Sequence, residues 1–133
     1  MAIITLPQIS VASASDVDAR YPEALRWLYS FATYQDKPGD AYAASKLNLD
    51  RMRALLARLD NPHEKFQSVH IAGTKGKGST AAICDSILRA AGIRTGLFTS
   101  PHLHTFRERI RVNGEMISRE HVVAGIDRLR AIQ

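Results

Sequence analysis

Phe66-Gln67-Ser68-Val69-His70-Ile71-Ala72-Gly73-Thr74-Lys75-Gly76-Lys77-Gly78-Ser79-Thr80 is the stretch on which the reading of this chain turns. Phe66, Val69 and Ile71 form an apolar run too short for a helix, and it ends in the cluster Gly73, Gly76 and Gly78. The pattern predicts a buried strand over 66–72 that enters a glycine-rich turn. Beyond the turn Ile83, Ile87 and Leu88 recur on one helical face, with Gly92 just past the end, so 79–91 reads as a helix with a left-handed stop residue. A second apolar strand follows over 94–99. Strand, glycine turn, helix and strand make a βαβ unit, whose right-handed crossover predicts two parallel strands in one sheet.

A glycine-rich segment between a strand and a helix is the context of a phosphate cradle. Glycines let the backbone wrap a polyphosphate, successive N–H groups point inward, and the helix N-terminus adds positive potential. Lys77 is expected to reach the β and γ phosphates, and Ser79 or Thr80 to face a metal. The spacing is not G-x-x-x-x-G-K-[ST], because Gly73 lies three residues before Gly76 and Gly78 separates Lys77 from Ser79. A plain tight turn explains one glycine, but not three of them with two lysines.

Upstream, Pro22 suits the first turn of a helix, and Leu25, Leu28 and Tyr29 follow at helical spacing, which predicts helix over 22–32. Residues 33–45 have loop composition. Leu49, Met52, Leu55, Leu56 and Leu59 mark a second amphipathic helix, with Asn48 as its N-cap and Asn61-Pro62 as its stop. Downstream, residues 106–112 alternate, with Phe106, Ile110 and Val112 on one face and Arg107, Arg109 and Arg111 on the other. Asn113-Gly114 is a strong hairpin signal, so 115–117 returns antiparallel. Ser118 caps a last helix with Val122, Val123, Ile126 and Leu129 on its apolar face.

The 133 residues suffice for one ordinary domain, and 45% hydrophobic against 23% charged residues excludes a chain disordered throughout. One cysteine, Cys84, excludes a disulfide framework and a multi-cysteine zinc site. The net charge of +5 favours anionic partners without naming one. No apolar run approaches the roughly 20 residues of a membrane span, and the N-terminus lacks the basic flank of a signal peptide. A cytoplasmic location without a membrane partner is expected. Nucleic acid is not expected as a partner, since the basic charge has no aromatic interleaving.

His70-Ile71-Ala72-Gly73-Thr74-Lys75-Gly76-Lys77-Gly78-Ser79-Thr80 resembles the compressed phosphate loop of the Mur ligase superfamily, specifically of folylpolyglutamate synthase and the bifunctional dihydrofolate synthase. Three more segments agree in order and spacing: Leu47-Asn48-Leu49-Asp50-Arg51-Met52, Thr99-Ser100-Pro101-His102-Leu103 and Arg107-Glu108-Arg109-Ile110-Arg111-Val112-Asn113-Gly114. Lys75 stands where the family often has Asn, and lysine also suits a phosphate site. The resemblance implies an α/β fold with a P-loop-type, mostly parallel sheet flanked by helices and carrying a β-hairpin, the N-terminal part of a Mur ligase ATPase domain. It further implies an ATP-dependent ligase that adds L-glutamate to dihydropteroate or folate through an acyl phosphate. By the same resemblance ATP is expected to bind at Gly73 to Thr80, Lys77 to be catalytic, Ser100 to be a Mg²⁺ ligand, and Leu47 to border the pterin site.

On this reading residues 1–20 are a disordered extension, and 21–133 are the incomplete N-terminal part of the ATP-binding domain. Such a fragment is expected to be inactive alone. The competing reading is a nucleotide-binding P-loop module without ligase activity. His102 and His104 read as loop residues rather than zinc ligands, His70 as a satisfied strand histidine, and Cys84 as a small core residue. The arginine stripe reads as a solvated sheet face, with contact to an anionic ligand as its alternative.

Overall fold

The computed structural model describes residues 14–31 and 49–132. The first helix, α1 (Ala14–Ser30), begins well before Pro22, so 14–20, expected as extension, are helical, while 1–13 lie outside the described residues. The physical reason is that Val17, Tyr21 and Ala24 fall at helical spacing and are all buried. Pro22 therefore sits inside the helix, where its missing N–H removes one ladder bond that the packing on both sides offsets.

The partner of that face is the last helix, α4 (Arg119–Arg130), which buries Val122, Val123 and Ile126. Ser118 caps it as the sequence suggests, its side chain accepting from the His121 N–H. Tyr21 and Ala24 of α1 pack with Val122, Val123 and Ile126, and Leu25, Trp27, Leu28, Phe106 and Ile117 border the cluster. Ion pairs run along the rim of this seam: Arg20 with Asp127 at 2.5 Å, Arg119 with Asp18 at 2.5 Å and Arg130 with Glu23 at 3.6 Å. The guanidiniums of Arg119 and Arg130 also lie over the rings of Tyr21 and Trp27.

Helix α2 (Asp50–Arg58) ends where Asp60 and Asn61 turn left-handed, and Pro62 opens a short 3-10 turn, Pro62–Glu64. Its Arg58 donates to the Ile132 carbonyl at 2.6 Å, which ties α2 to the end of α4. Asn48, expected as the N-cap, and Leu47, expected at the pterin border, lie outside the described residues.

Helix α3 (Lys77–Ala90) follows the glycine turn and is stopped by Gly92 at φ +77°, as read from the sequence. The sheet differs. Strand β1 (Gly96–Phe98) pairs antiparallel with β2 (Ile110–Val112), and β2 pairs antiparallel with β3 (Glu115–Met116). The expected parallel pair is absent among the described residues, and 66–72 runs without strand pairing. A parallel strand needs neighbours and covered faces. Val69 is instead 75% exposed, Phe98 of β1 is 69% exposed, and the α3 residues Ile83 and Ile87 face outward. His70, expected in that strand, is exposed too, and Cys84 is half-buried. The chain is α/β, but the core of the described residues lies between α1 and α4 rather than in the βαβ unit.

A second correction concerns 106–109, which forms a 3-10 helix, Phe106–Arg109, instead of the start of a strand. Thr105 and Glu108 build a reciprocal capping box there, and this local bonding overrides the alternation. The hairpin itself forms, with Asn113 at φ +50° and Gly114 at φ +86° in its turn.

The two apolar environments predict opposite sensitivities. Ile126→Ala, in the α1–α4 seam, should cost about 2–5 kcal/mol in urea denaturation. Ile83→Ala, on the uncovered face of α3, should stay within about 0.5 kcal/mol of the parent chain.

Candidate functional site

Two of the three glycines in the loop over 73–80 are required by its backbone. Gly73 at φ +148° and Gly76 at φ +77° hold conformations that a side chain would strain. Gly78 has no such constraint, and a Cβ built on it meets nothing within 4 Å. Gly76 is the N-cap of α3, and no side chain caps this end. The N–H groups of Lys77, Gly78 and Ser79 therefore start the helix without intrahelical acceptors.

The side chains of the loop are exposed. Lys77 folds back over it, its ammonium donating to the carbonyls of Gly73 and Thr74. The Thr80 hydroxyl donates to the Gly76 carbonyl at 3.0 Å, so its proton is already used. Ser79 remains exposed at the same helix end.

The other half of α3 is fixed by a group the sequence reading missed. Asp85 is 7% exposed, and its carboxylate accepts from the Thr95 hydroxyl at 2.5 Å and from Arg89 Nε at 2.9 Å. These bonds, Thr95 first, hold its pKa below the usual carboxylate range. The Thr95 N–H donates to Asn113 Oδ1 and the Asn113 N–H to the Thr95 carbonyl, both at 2.9 Å. A Cβ on Gly114 would come within 3.0 Å of the Arg89 guanidinium. Asp85 thus joins α3, the entry to β1 and the hairpin turn. The i,i+4 pairing of Asp85 with Arg89 was the signal available in the sequence.

Ser100 follows β1 and is exposed, in a turn that includes the cis Ser100-Pro101 bond. Beyond it, Glu108 accepts three successive backbone N–H groups, from Leu103, His104 and Thr105, at 2.8, 2.9 and 2.8 Å. These bonds lower its pKa to about 2. The Thr-x-x-Glu spacing of Thr105 and Glu108 could have revealed this motif. His102 accepts at Nδ1 from Arg109 Nε at 2.8 Å, which leaves the ring's Nε2 to carry the proton of the neutral form.

The arginine stripe is dispersed by the 3-10 helix. Arg107 donates to the Ile117 carbonyl and Arg109 to His102, while Arg111 alone of the three lies within a strand. No group of three or more His, Cys, Asp or Glu side chains suited to a metal forms among the described residues. No described helix is long and apolar enough to cross a membrane.

The chain is 42% identical over 110 residues to the dihydrofolate synthase/folylpolyglutamate synthase of Bacillus subtilis, a match covering 83% of this chain and 24% of that protein. Its structure is similar to the crystal structure of folylpolyglutamate synthase from Thermotoga maritima, with TM-score 0.70 and 43% identity over 86% of this chain and 24% of that one. The chain is a homologue of a segment of the folylpolyglutamate synthases. A folylpolyglutamate synthase solved with AMPPCP and folate is also similar, with TM-score 0.70 and 31% identity over 84% of this chain and 25% of that one. No protein-family profile matches the chain. The fold of these neighbours is the Mur-ligase type, in agreement with the resemblance drawn from the motifs. The chain spans about a quarter or less of the length of these folylpolyglutamate synthases.

Glu108 yields a pH prediction. Its folded-state pKa lies below the ordinary glutamate value, so its ionised form favours the folded loop, and that contribution is complete above about pH 4.5 and lost as pH falls through about 2. In an NMR titration the side-chain carboxyl carbon of Glu108 should begin to move only at a lower pH than that of a glutamate in an unstructured peptide, and a coincident titration would contradict the three-donor cradle.

Proposed function

We propose that this chain carries the ATP-binding part of a ligase that adds L-glutamate to dihydropteroate or folate. The observation that carries the reading is the loop over 73–80: an uncapped helix N-terminus behind two conformationally required glycines, with Lys77 at the first helical position. Gly78 supports it, because nothing among the described residues accounts for a glycine there, whereas a phosphate lying close over the helix end would. A similar folylpolyglutamate synthase was solved with AMPPCP and folate, which supports nucleotide and folate as ligands.

In this reading the backbone donors of Lys77, Gly78 and Ser79 hold the phosphates. Lys77 exchanges its two carbonyl contacts for the transferred phosphoryl group, whose developing charge it neutralises. The acceptor is the carboxylate of the folate or pteroate. The resulting acyl phosphate is attacked by the glutamate amine, and phosphate leaves as the amide forms. Dihydropteroate or folate, with Leu47 at the pterin border, and L-glutamate are the other substrates of this reading.

Ser100 would hold Mg²⁺ through its hydroxyl. A single exposed hydroxyl suits this ion, which keeps several waters and phosphate oxygens and does not require an all-protein cage. When bound, the ion supplies further neutralisation of phosphate charge. The chain lengths support the pairing of Ser100 with the loop. Thr95 sits on Asp85, and from there the extended chain to Ser100 reaches about 16 Å, against about 12 Å of helix from Asp85 back to Lys77.

Calorimetric titration with Mg·ATP tests the reading. Binding by the parent chain should weaken at least tenfold in Lys77→Ala. Equal binding by both would overturn the loop assignment. Phosphate release by this chain that required both a folate and glutamate would overturn the view that ligation needs more sequence than this. Nucleotide binding in which Lys77 matters, unchanged by added folate and glutamate, would favour a nucleotide module without ligase activity.

A further inference from the structure

The turn after β1 is held from both sides by one short element. On the near side, the Thr99 N–H donates to the Arg109 carbonyl at 2.9 Å. On the far side, Arg109 Nε holds His102, and Glu108 gathers the N–H groups of Leu103, His104 and Thr105 on its two carboxylate oxygens. Phe106 of the same element packs against the border of the α1–α4 core, and the Arg109 guanidinium lies 5.9 Å from the centroid of its ring. Ser100 and Pro101 are the two residues between these anchors.

A carboxylate is the side chain this geometry requires. Three donors converge on two oxygens, and an ionised carboxylate accepts through both without presenting a proton. Glutamine matches its shape but offers one acceptor oxygen, and its amide nitrogen would face an N–H. Glu108 also lies outside the buried α1–α4 cluster, so loosening the turn need not unfold the chain.

We infer that Glu108 is a positioning residue: by binding the backbone of 103–105 it fixes the turn that presents the Ser100 hydroxyl. This rests on the reading of Ser100 as a metal ligand, and the test separates the two. It uses the whole 133-residue chain with Mn²⁺ and ATP, reading Mn²⁺ affinity by electron paramagnetic resonance, metal-free ATP affinity by calorimetry, and amide hydrogen exchange by NMR. Glu108→Gln should speed exchange at Leu103, His104 and Thr105 at least tenfold and lower Mn²⁺ affinity about tenfold. Exchange in α4 and metal-free ATP affinity should stay unchanged. Ser100→Ala should lower Mn²⁺ affinity without speeding that exchange. Thr105→Ala, which removes the other half of the capping box but keeps the Glu108 contacts, should stay within twofold of the parent for Mn²⁺. Mn²⁺ affinity lost in Ser100→Ala but retained in Glu108→Gln would overturn the positioning role and leave Ser100 as ligand. Equal affinity in all variants, or no Mn²⁺ binding by the parent, would overturn both. Equal losses in Thr105→Ala and Glu108→Gln would assign the effect to the 3-10 helix as a whole and overturn the specific role of Glu108.

Discussion

The packing of α1 against α4 is the constraint on which the rest of the described structure depends. Tyr21 and Ala24 meet Val122, Val123 and Ile126, and both helices also supply the ion pairs along the rim. The ion pairs are partly exposed and contribute modestly, so apolar burial dominates the seam. It joins segments far apart in sequence. Phe106 and Ile117 reach its border from the 3-10 helix and from the entry to α4, so the hairpin is anchored at both its ends.

From that seam two polar junctions carry order outward to the candidate site. Glu108 and Arg109 fix the turn after β1, and Asp85 fixes α3 against Thr95 and the hairpin. Both acids have lowered pKa values because each accepts specific hydrogen bonds in its ionised form. The glycine loop lies at the other end of α3 from the Asp85 junction. Its own order comes from local bonds, with Lys77 and Thr80 bonding to carbonyls within the loop. These side-chain bonds leave the N–H groups of Lys77, Gly78 and Ser79 without intrahelical acceptors.

The legible parts of the sequence were those governed by local rules. Gly92, Asn113-Gly114, Ser118 and Asn61-Pro62 each act through backbone conformation or a single hydrogen bond within a few residues. The start of α1 was misread because Pro22 is a strong local signal, whereas the burial of Val17 and Tyr21 depends on a helix about 100 residues away in sequence. The strand expected over 106–109 failed against another local rule, the Thr105–Glu108 capping box, which outweighed an alternating pattern.

The sequence by itself determined the glycine loop and the helix that opens from it, because φ preferences and helix-end chemistry are properties of neighbouring residues. It also determined the kinship to folylpolyglutamate synthases, since four motifs in fixed order specify a family more narrowly than any one of them. Tertiary structure alone decided where the core lies and which way the strands pair. The apolar face of α3 and the run over 66–72 are hydrophobic enough to be core, yet burial requires a partner surface, and among the described residues only α1 and α4 supply one to each other. It also decided the uses of Asp85 and Glu108, because a carboxylate's role is set by the donors that folding brings around it.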